Sequence, residues 1–170
     1  TIDCHITSGQ SALLAKALQH TPNLEQLKVS LNTSHVAEIG QLLASLHPLP
    51  LRHLFFSATY FCSSAIAEFL CDALEQLQRT LLSLEGLSGT EEFNNVFCRR
   101  LVGPKLRCLR IPKLRLTTGH VHDLKQALKS MPHLEELGVF VVNGFVLDDL
   151  ADFFVHVKGS RIRKLLCGVP

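Results

Sequence analysis

Residues 24–29 read LEQLKV, and the same outline returns at Leu51 (LRHLFF), Leu81 (LLSLEG), Leu106 (LRCLRI), Leu134 (LEELGV) and Ile162 (IRKLLC). Successive first positions lie 27, 30, 25, 28 and 28 residues apart. Within each copy the apolar residues alternate from the second Leu onward, as in a strand with one buried face. Between copies the period changes to that of a helix. Leu13, Leu14, Ala17 and Leu18 recur at i, i+1, i+4 and i+5, and so do Val36, Ile39, Leu42, Leu43 and Leu46. Later stretches run through Ile66, Phe69, Leu70, Ala73, Leu74 and Leu77; Phe93, Val96, Phe97 and Leu101; Val121, Leu124, Leu128 and Met131; and Leu147, Leu150, Phe153, Phe154 and Val157. Strand and helix alternating at this period predict an α/β solenoid. Each unit buries its apolar side against its neighbours and leaves a ribbon of strand side chains in solvent.

Helix boundaries are marked as well. Ser8, Ser34, Ser64, Thr90 and Thr118 can each offer a hydroxyl to free N–H groups at a helix start. Pro22, Pro48, Gly103-Pro104, Pro132 and Gly159 fall where a helix must stop. One period before Leu24 lies upstream of Thr1, which places Ile2 on the third apolar position of a strand. The far end completes a strand with Ile162, Leu165 and Cys167 and then reaches Pro170. Residues 1–170 therefore read as a single array of about six repeats, expected to be a segment excised from a longer protein because solenoid ends need caps.

Composition narrows the function classes. The formal charge of +2 builds no strong positive field, so a dedicated nucleic-acid binder is not expected. Nothing in the sequence has the length and apolarity of a membrane span. The six Cys (Cys4, Cys62, Cys71, Cys98, Cys108, Cys167) form no CxxC pair and sit among apolar residues, which predicts reduced, core-filling thiols and a cytoplasmic setting. Asn32-Thr33-Ser34 is a glycosylation sequon, a short match that turns up often by chance.

These residues resemble the ribonuclease-inhibitor class of leucine-rich repeat, whose long period holds a full helix. The resemblance implies a horseshoe with a concave parallel β-sheet and convex helices. Similar arrays form the C-terminal sensing region of nucleotide-binding, leucine-rich-repeat (NOD-like) immune receptors. It thus implies a non-catalytic protein-interaction domain, ligand-sensing or autoinhibitory, in an intracellular receptor of innate immunity. The partner would be a protein ligand or another domain of the parent chain. The substrate-recognition domain of a ubiquitin ligase is the alternative, and a GTPase-activating protein a third. The family also places Asn or Cys three positions after the last strand residue. Asn32 fits, whereas the equivalents His5, Thr59, Gly89, Leu114 and Val142 depart from it, so irregular turns are expected. The copy from Leu81 to Lys105 is the most degenerate, with Gly86 in a strand position.

No cofactor is expected, since neither GxxxxGK[ST] nor GxGxxG occurs. His120, His122 and Asp123 could suggest a metal, but residues two apart on a helix do not share a face, and a solvated first turn is the expectation. Asp148, Asp149 and Asp152 read as a solvated helix start. Alternation assigns Gln26, Lys28, Ser30; His53, Phe55, Ser57; Ser83, Glu85, Leu87; Cys108, Arg110, Pro112; Glu136, Gly138, Phe140; and Lys164, Leu166, Gly168 to the open face. Of these, Lys28, His53, Phe55, Glu85, Leu87, Arg110, Glu136, Phe140, Lys164 and Leu166 are the candidate protein-binding residues. They combine apolar side chains with scattered basic ones, neighboured by Arg52, Arg107 and Arg163. Their inward partners Leu27, Leu54, Leu84, Leu109, Leu137 and Leu165 should be buried.

Overall fold

The computed structural model describes residues 1–7, 9–32, 36–47, 49–58, 63–86, 89–141, 151–153, 155, 157 and 160–168, with the backbone alone of 32, 58, 112–116, 118, 140, 141, 167 and 168. Strands and helices alternate: β1 (Ile2–Thr7), α1 (Ser11–Gln19), β2 (Gln26–Asn32), α2 (Val36–Ala44), β3 (His53–Ala58), α3 (Ser64–Leu77), β4 (Ser83–Glu85), α4 (Glu91–Arg100), β5 (Cys108–Leu116), α5 (Thr118–Lys129), β6 (Glu136–Val141) and β7 (Lys164–Gly168). Residues 151–153, 155 and 157 are helical too. The seven strands form one open sheet in sequential order, every neighbouring pair parallel.

The strand register follows the sequence spacing. Leu27 pairs with Leu54, Leu54 with Leu84, Leu84 with Leu109, Leu109 with Leu137, and Leu137 with Leu165. A repeated backbone device enforces it. The Glu25 carbonyl accepts from the N–H groups of Arg52 and His53, at 2.8 and 3.0 Å. Arg52, Leu82, Arg107 and Glu135 each do the same for the next strand. Because the second residue of each copy holds the start of the next, every strand begins at the same phase.

One face of the sheet is buried. Leu27, Leu54, Leu84, Leu109 and Leu137 are at most 2% exposed, and Val29, Phe56, Ile111 and Val139 continue the row. Ile39, Leu42, Leu43, Leu70, Leu74, Phe93, Phe97 and Leu124 reach the same core from the helices. Each such side chain contributes on the order of 1.5–3 kcal/mol by leaving water. Leu165 departs from its expectation and is half-buried, because β7 has a strand on one side only.

Other expectations are corrected. Ile2 pairs with Leu27, not Val29, so Thr7 rather than His5 stands opposite Asn32. In β5, Ile111 pairs with Val139 but Arg115 with Phe140, so residues 112–114 stand opposite none of β6 and Leu116, where regular spacing would put Lys113, comes level with Val141. Thr59 and Val142 lie outside the described residues. The β4 strand is only three residues long, and Gly86 follows it at φ +89°, a conformation that glycine tolerates and other residues resist. The degenerate repeat is thus also the narrowest part of the sheet.

Helix starts shift by one residue in two cases. Ser63 precedes α3 and Thr117 precedes α5, where Ser64 and Thr118 were expected. Thr90 behaves as expected, accepting from the Phe93 N–H at 3.3 Å. Gln10 occupies the position before α1, while Ser8 and Ser34 lie outside the described residues. Leu13 is 66% exposed rather than buried. Phe69 is half out of the core because its ring lies across Gly40 of α2, where a Cβ would come within 2.8 Å of it.

Candidate functional site

The face of the sheet opposite the core carries two rows of side chains in register. One runs across all seven strands through Asp3, Lys28, Phe55, Glu85, Arg110, Gly138 and Leu166. The second runs through Gln26, His53, Ser83, Cys108, Glu136 and Lys164. Eight of the ten residues expected here by alternation have described side chains in these rows. Leu87 lies outside the described residues, and for Phe140 only the backbone, paired with Gly168, is described.

The charges in these rows are engaged with one another. Lys28 Nζ is 2.9 Å from Asp3 Oδ2 and 5.6 Å from the centre of the Phe55 ring. Arg110 donates from Nη1 to Glu85 Oε2 at 3.0 Å and from Nε to Glu136 Oε1 at 2.7 Å. Lys164 Nζ approaches the same Glu136 oxygen at 3.0 Å. Ser83 Oγ donates to Glu85 Oε1 at 2.8 Å. Partial burial of Glu136 raises its pKa, yet hydrogen bonds from Lys164 and Arg110 outweigh that and hold it below the ordinary glutamate value. The same bond to Glu136 raises the pKa of Arg110.

Two glycines shape this face. A Cβ at Gly86 would come within 3.0 Å of the Phe55 ring, and one at Gly138 within 3.3 Å of Arg110 Cγ. Both large side chains therefore lie down across a glycine, Gly86 just after β4 and Gly138 within β6, instead of standing into solvent. Phe55 is half-buried as a result, whereas Leu166 remains 41% exposed. His53 is exposed. Gly86 was legible as an anomaly in the strand pattern, but the function of the two glycines as shelves was not. Asp3 was missed because outward positions were assigned only to the six complete copies, and the first strand precedes them.

The remaining candidates do not converge on chemistry. His120 is buried, correcting the expectation of a solvated turn. Its Nδ1 accepts from the Thr117 N–H at 3.0 Å and its Nε2 lies 2.8 Å from Asn95 Oδ1, so the imidazole links the start of α5 to α4. His122 is exposed, and Asp123 faces Arg99 at 3.6 Å. Asp148 and Asp149 lie outside the described residues, and Asp152 pairs with Lys125. Among the described residues, no group of three or more His, Cys, Asp or Glu is placed to hold a metal ion.

Cys71 and Cys98 are buried, and burial pushes both thiols up to about 12. Half-buried Cys4 packs against the core, Cys108 is half-buried on the open face, and all four are free. The side chains of Cys62 and Cys167 lie outside the described residues. On the helical side, Arg100 of α4 joins Glu68, Asp72 and Glu75 of α3. Beside this cluster, Gly40, Ala44, His47, Phe69 and Gln76 border a groove of about 290 Å³ between α2 and α3. It is at the small end for a ligand site, and its carboxylate, Asp72, is already held by Arg100. No described helix is long and apolar enough to cross a membrane.

Compared with protein-family models and with curated proteins, the chain matches none. The functional reading therefore rests on the geometry of the open face.

Proposed function

We propose that this chain is a leucine-rich-repeat domain that binds a protein partner through the open face of its sheet, acting by contact and not by catalysis. The carrying observation is that the face of the seven-stranded sheet opposite the described core presents half-buried Phe55 and exposed Leu166. Ordered strands hold such side chains at low entropic cost, and aromatic anchors contribute strongly at protein interfaces. The six LxxLxL-type copies and the sequential parallel sheet support the repeat class and a horseshoe with this face concave.

Within that class the reading is the sensing or autoinhibitory region of a cytoplasmic NOD-like immune receptor. The partner is then a protein ligand or another module of the parent chain, and binding shifts the balance between two states by differential affinity. Free thiols at Cys4, Cys71, Cys98 and Cys108 suit a reducing compartment.

The test compares two pairs of substitutions in proteins captured from cytosol. Alanine at Phe55 and Leu166 alters the open face, and alanine at Leu13 and Val155 alters exposed apolar residues on helices. Loss of the captured partner with the first pair alone is expected. Loss with the second pair alone would assign docking to the helices.

A further inference from the structure

We infer that the rim formed by the starts of β5, β6 and β7 docks an acidic protein segment, whose separate carboxylates are taken by Arg107 and Arg163 with Lys105 and Arg161 beside them. This contact lies next to the open face and stands or falls apart from docking at Phe55 and Leu166.

The basic residues of the chain are unevenly placed. Residues 93–122 hold seven Lys or Arg and no Asp or Glu, and residues 153–170 hold four and again no acid. Several of these are already engaged. Arg99 faces Asp123, Arg100 joins three carboxylates of α3, Arg110 lies between Glu85 and Glu136, and Lys164 reaches Glu136. The side chains of Lys113, Arg115 and Lys158 lie outside the described residues. Lys105, Arg107, Arg161 and Arg163 are left. All four are exposed, and among the described residues none of them forms an ion pair.

The backbone brings these four together. The Arg107 carbonyl accepts from the Glu135 N–H at 2.8 Å and the Glu135 carbonyl from the Arg163 N–H at 2.8 Å, so the three residues stand side by side where β5, β6 and β7 begin. Two positions earlier in each copy come Lys105, His133 and Arg161. The Gly103 and Met131 carbonyls accept from the Leu106 and Leu134 N–H groups at 3.0 and 3.1 Å, which puts Lys105 and His133 at the same place in equivalent turns. This end of the rim thus has four cations around one carboxylate, Glu135. The corresponding positions before β2, β3 and β4 are Asn23, Pro50 and Thr80, then Glu25, Arg52 and Leu82, and there Arg52 faces Glu25 at 3.6 Å. On the neighbouring open face Glu85, Arg110, Glu136 and Lys164 cancel one another. The excess positive charge therefore belongs to the rim at β5–β7, where it attracts an anionic partner.

The geometry selects among anions. Arg107 and Arg163 begin strands two apart, about 10 Å at sheet spacing, and Glu135 begins the strand between them. A single phosphate placed midway would face that carboxylate. Separate carboxylates, one to each guanidinium, avoid it and match the planar fork of arginine. An extended segment with every second residue acidic carries its carboxylates about 6.8 Å apart on one side, a spacing that long arginine side chains can span. The six rim positions at β5–β7 include no aromatic ring on which bases could stack, which disfavours a nucleic-acid strand. Exposed ion pairs each contribute little, so binding needs several at once and is sensitive to salt.

The test titrates the 170-residue chain into a fluorescently labelled peptide of about ten residues alternating Glu and Ser, followed by anisotropy. Binding at about 50 mM NaCl should weaken more than about tenfold by about 500 mM, and the same peptide with Gln for Glu should not bind. Arg107→Gln with Arg163→Gln, both at exposed positions, should weaken binding more than about fivefold. Lys16→Gln with Arg79→Gln makes the same change of charge at exposed positions on the helical side and should weaken it less than about twofold. Glu135→Gln should tighten binding more than about twofold, a gain that no loss of folding can produce.

Absence of binding to the Glu peptide would overturn the inference, as would equal losses in the two double variants, which would reduce it to net charge. Unchanged or weaker binding in Glu135→Gln would overturn it too. Tighter binding of a single-stranded oligothymidine of equal charge would assign the rim to nucleic acid instead. None of these outcomes bears on docking at Phe55 and Leu166, which neither double variant touches.

Discussion

The stem of Arg110 lies across Gly138, and this places its guanidinium between Glu85 on one neighbouring strand and Glu136 on the other. Gly138 stands directly opposite Arg110 in the ladder. Any side chain there competes for the space over which the arginine reaches.

Arg110→Ala should destabilise the chain by about 1 kcal/mol, because it leaves Glu85 and Glu136 without their shared cation while solvent screens much of the loss. Adding Glu136→Gln should recover part of that cost. Urea denaturation of both single variants and the double variant measures the coupling; additive effects would show that the pair contributes nothing.

The depressed pKa of Glu136 predicts a pH dependence with a definite sign. The unfolded chain binds a proton at this glutamate near the ordinary value of 4.5, before the folded chain does. Its contribution is therefore complete above that value and is lost as pH falls through the lower folded pKa. Stability measured from pH 6 down to about pH 3 should drop less steeply in Glu136→Gln than in the parent.

Leu137→Ala should cost about 2–5 kcal/mol, since Leu137 is fully buried between strands on both sides. The equivalent change at half-buried Leu165 should cost clearly less. Equal costs in denaturant titrations would contradict the burial gradient toward β7.

The four described thiols should separate by reactivity. Cys71 and Cys98, with pKa values pushed up to about 12 by burial, should resist alkylation near pH 8 until the chain unfolds. Half-buried Cys4 and Cys108 should react earlier. Peptide-level mass spectrometry after timed alkylation checks the order, and absence of free thiols after unfolding without reductant would mean disulfides.

His120→Ala should cost about 1–3 kcal/mol, because it removes the bridge from Thr117 to Asn95 and empties a buried site. Hydrogen exchange at the start of α5 should accelerate first. Uniform acceleration along the chain would deny His120 a local function.

The sequence by itself determined the alternation of strand and helix, the inward Leu row, and the register of four of the six strand pairings together with the first half of a fifth, β5 with β6 as far as Ile111. The physical reason is that the two periods are local, and the Glu25-type carbonyl contact repeats at each copy, so sequence spacing converts directly into pairing. Alternation likewise assigned the open face. The pairing of β1 escaped because Ile2, Cys4 and Ile6 follow a shorter interval than the one extrapolated from Leu24. Tertiary structure alone decided which side chains lie down across Gly86, Gly138 and Gly40, that Leu13 is exposed, that His120 is buried, and that the charges of the open face pair with each other. Those outcomes depend on neighbours a full repeat away in the chain, and no local period encodes what a side chain meets across that distance.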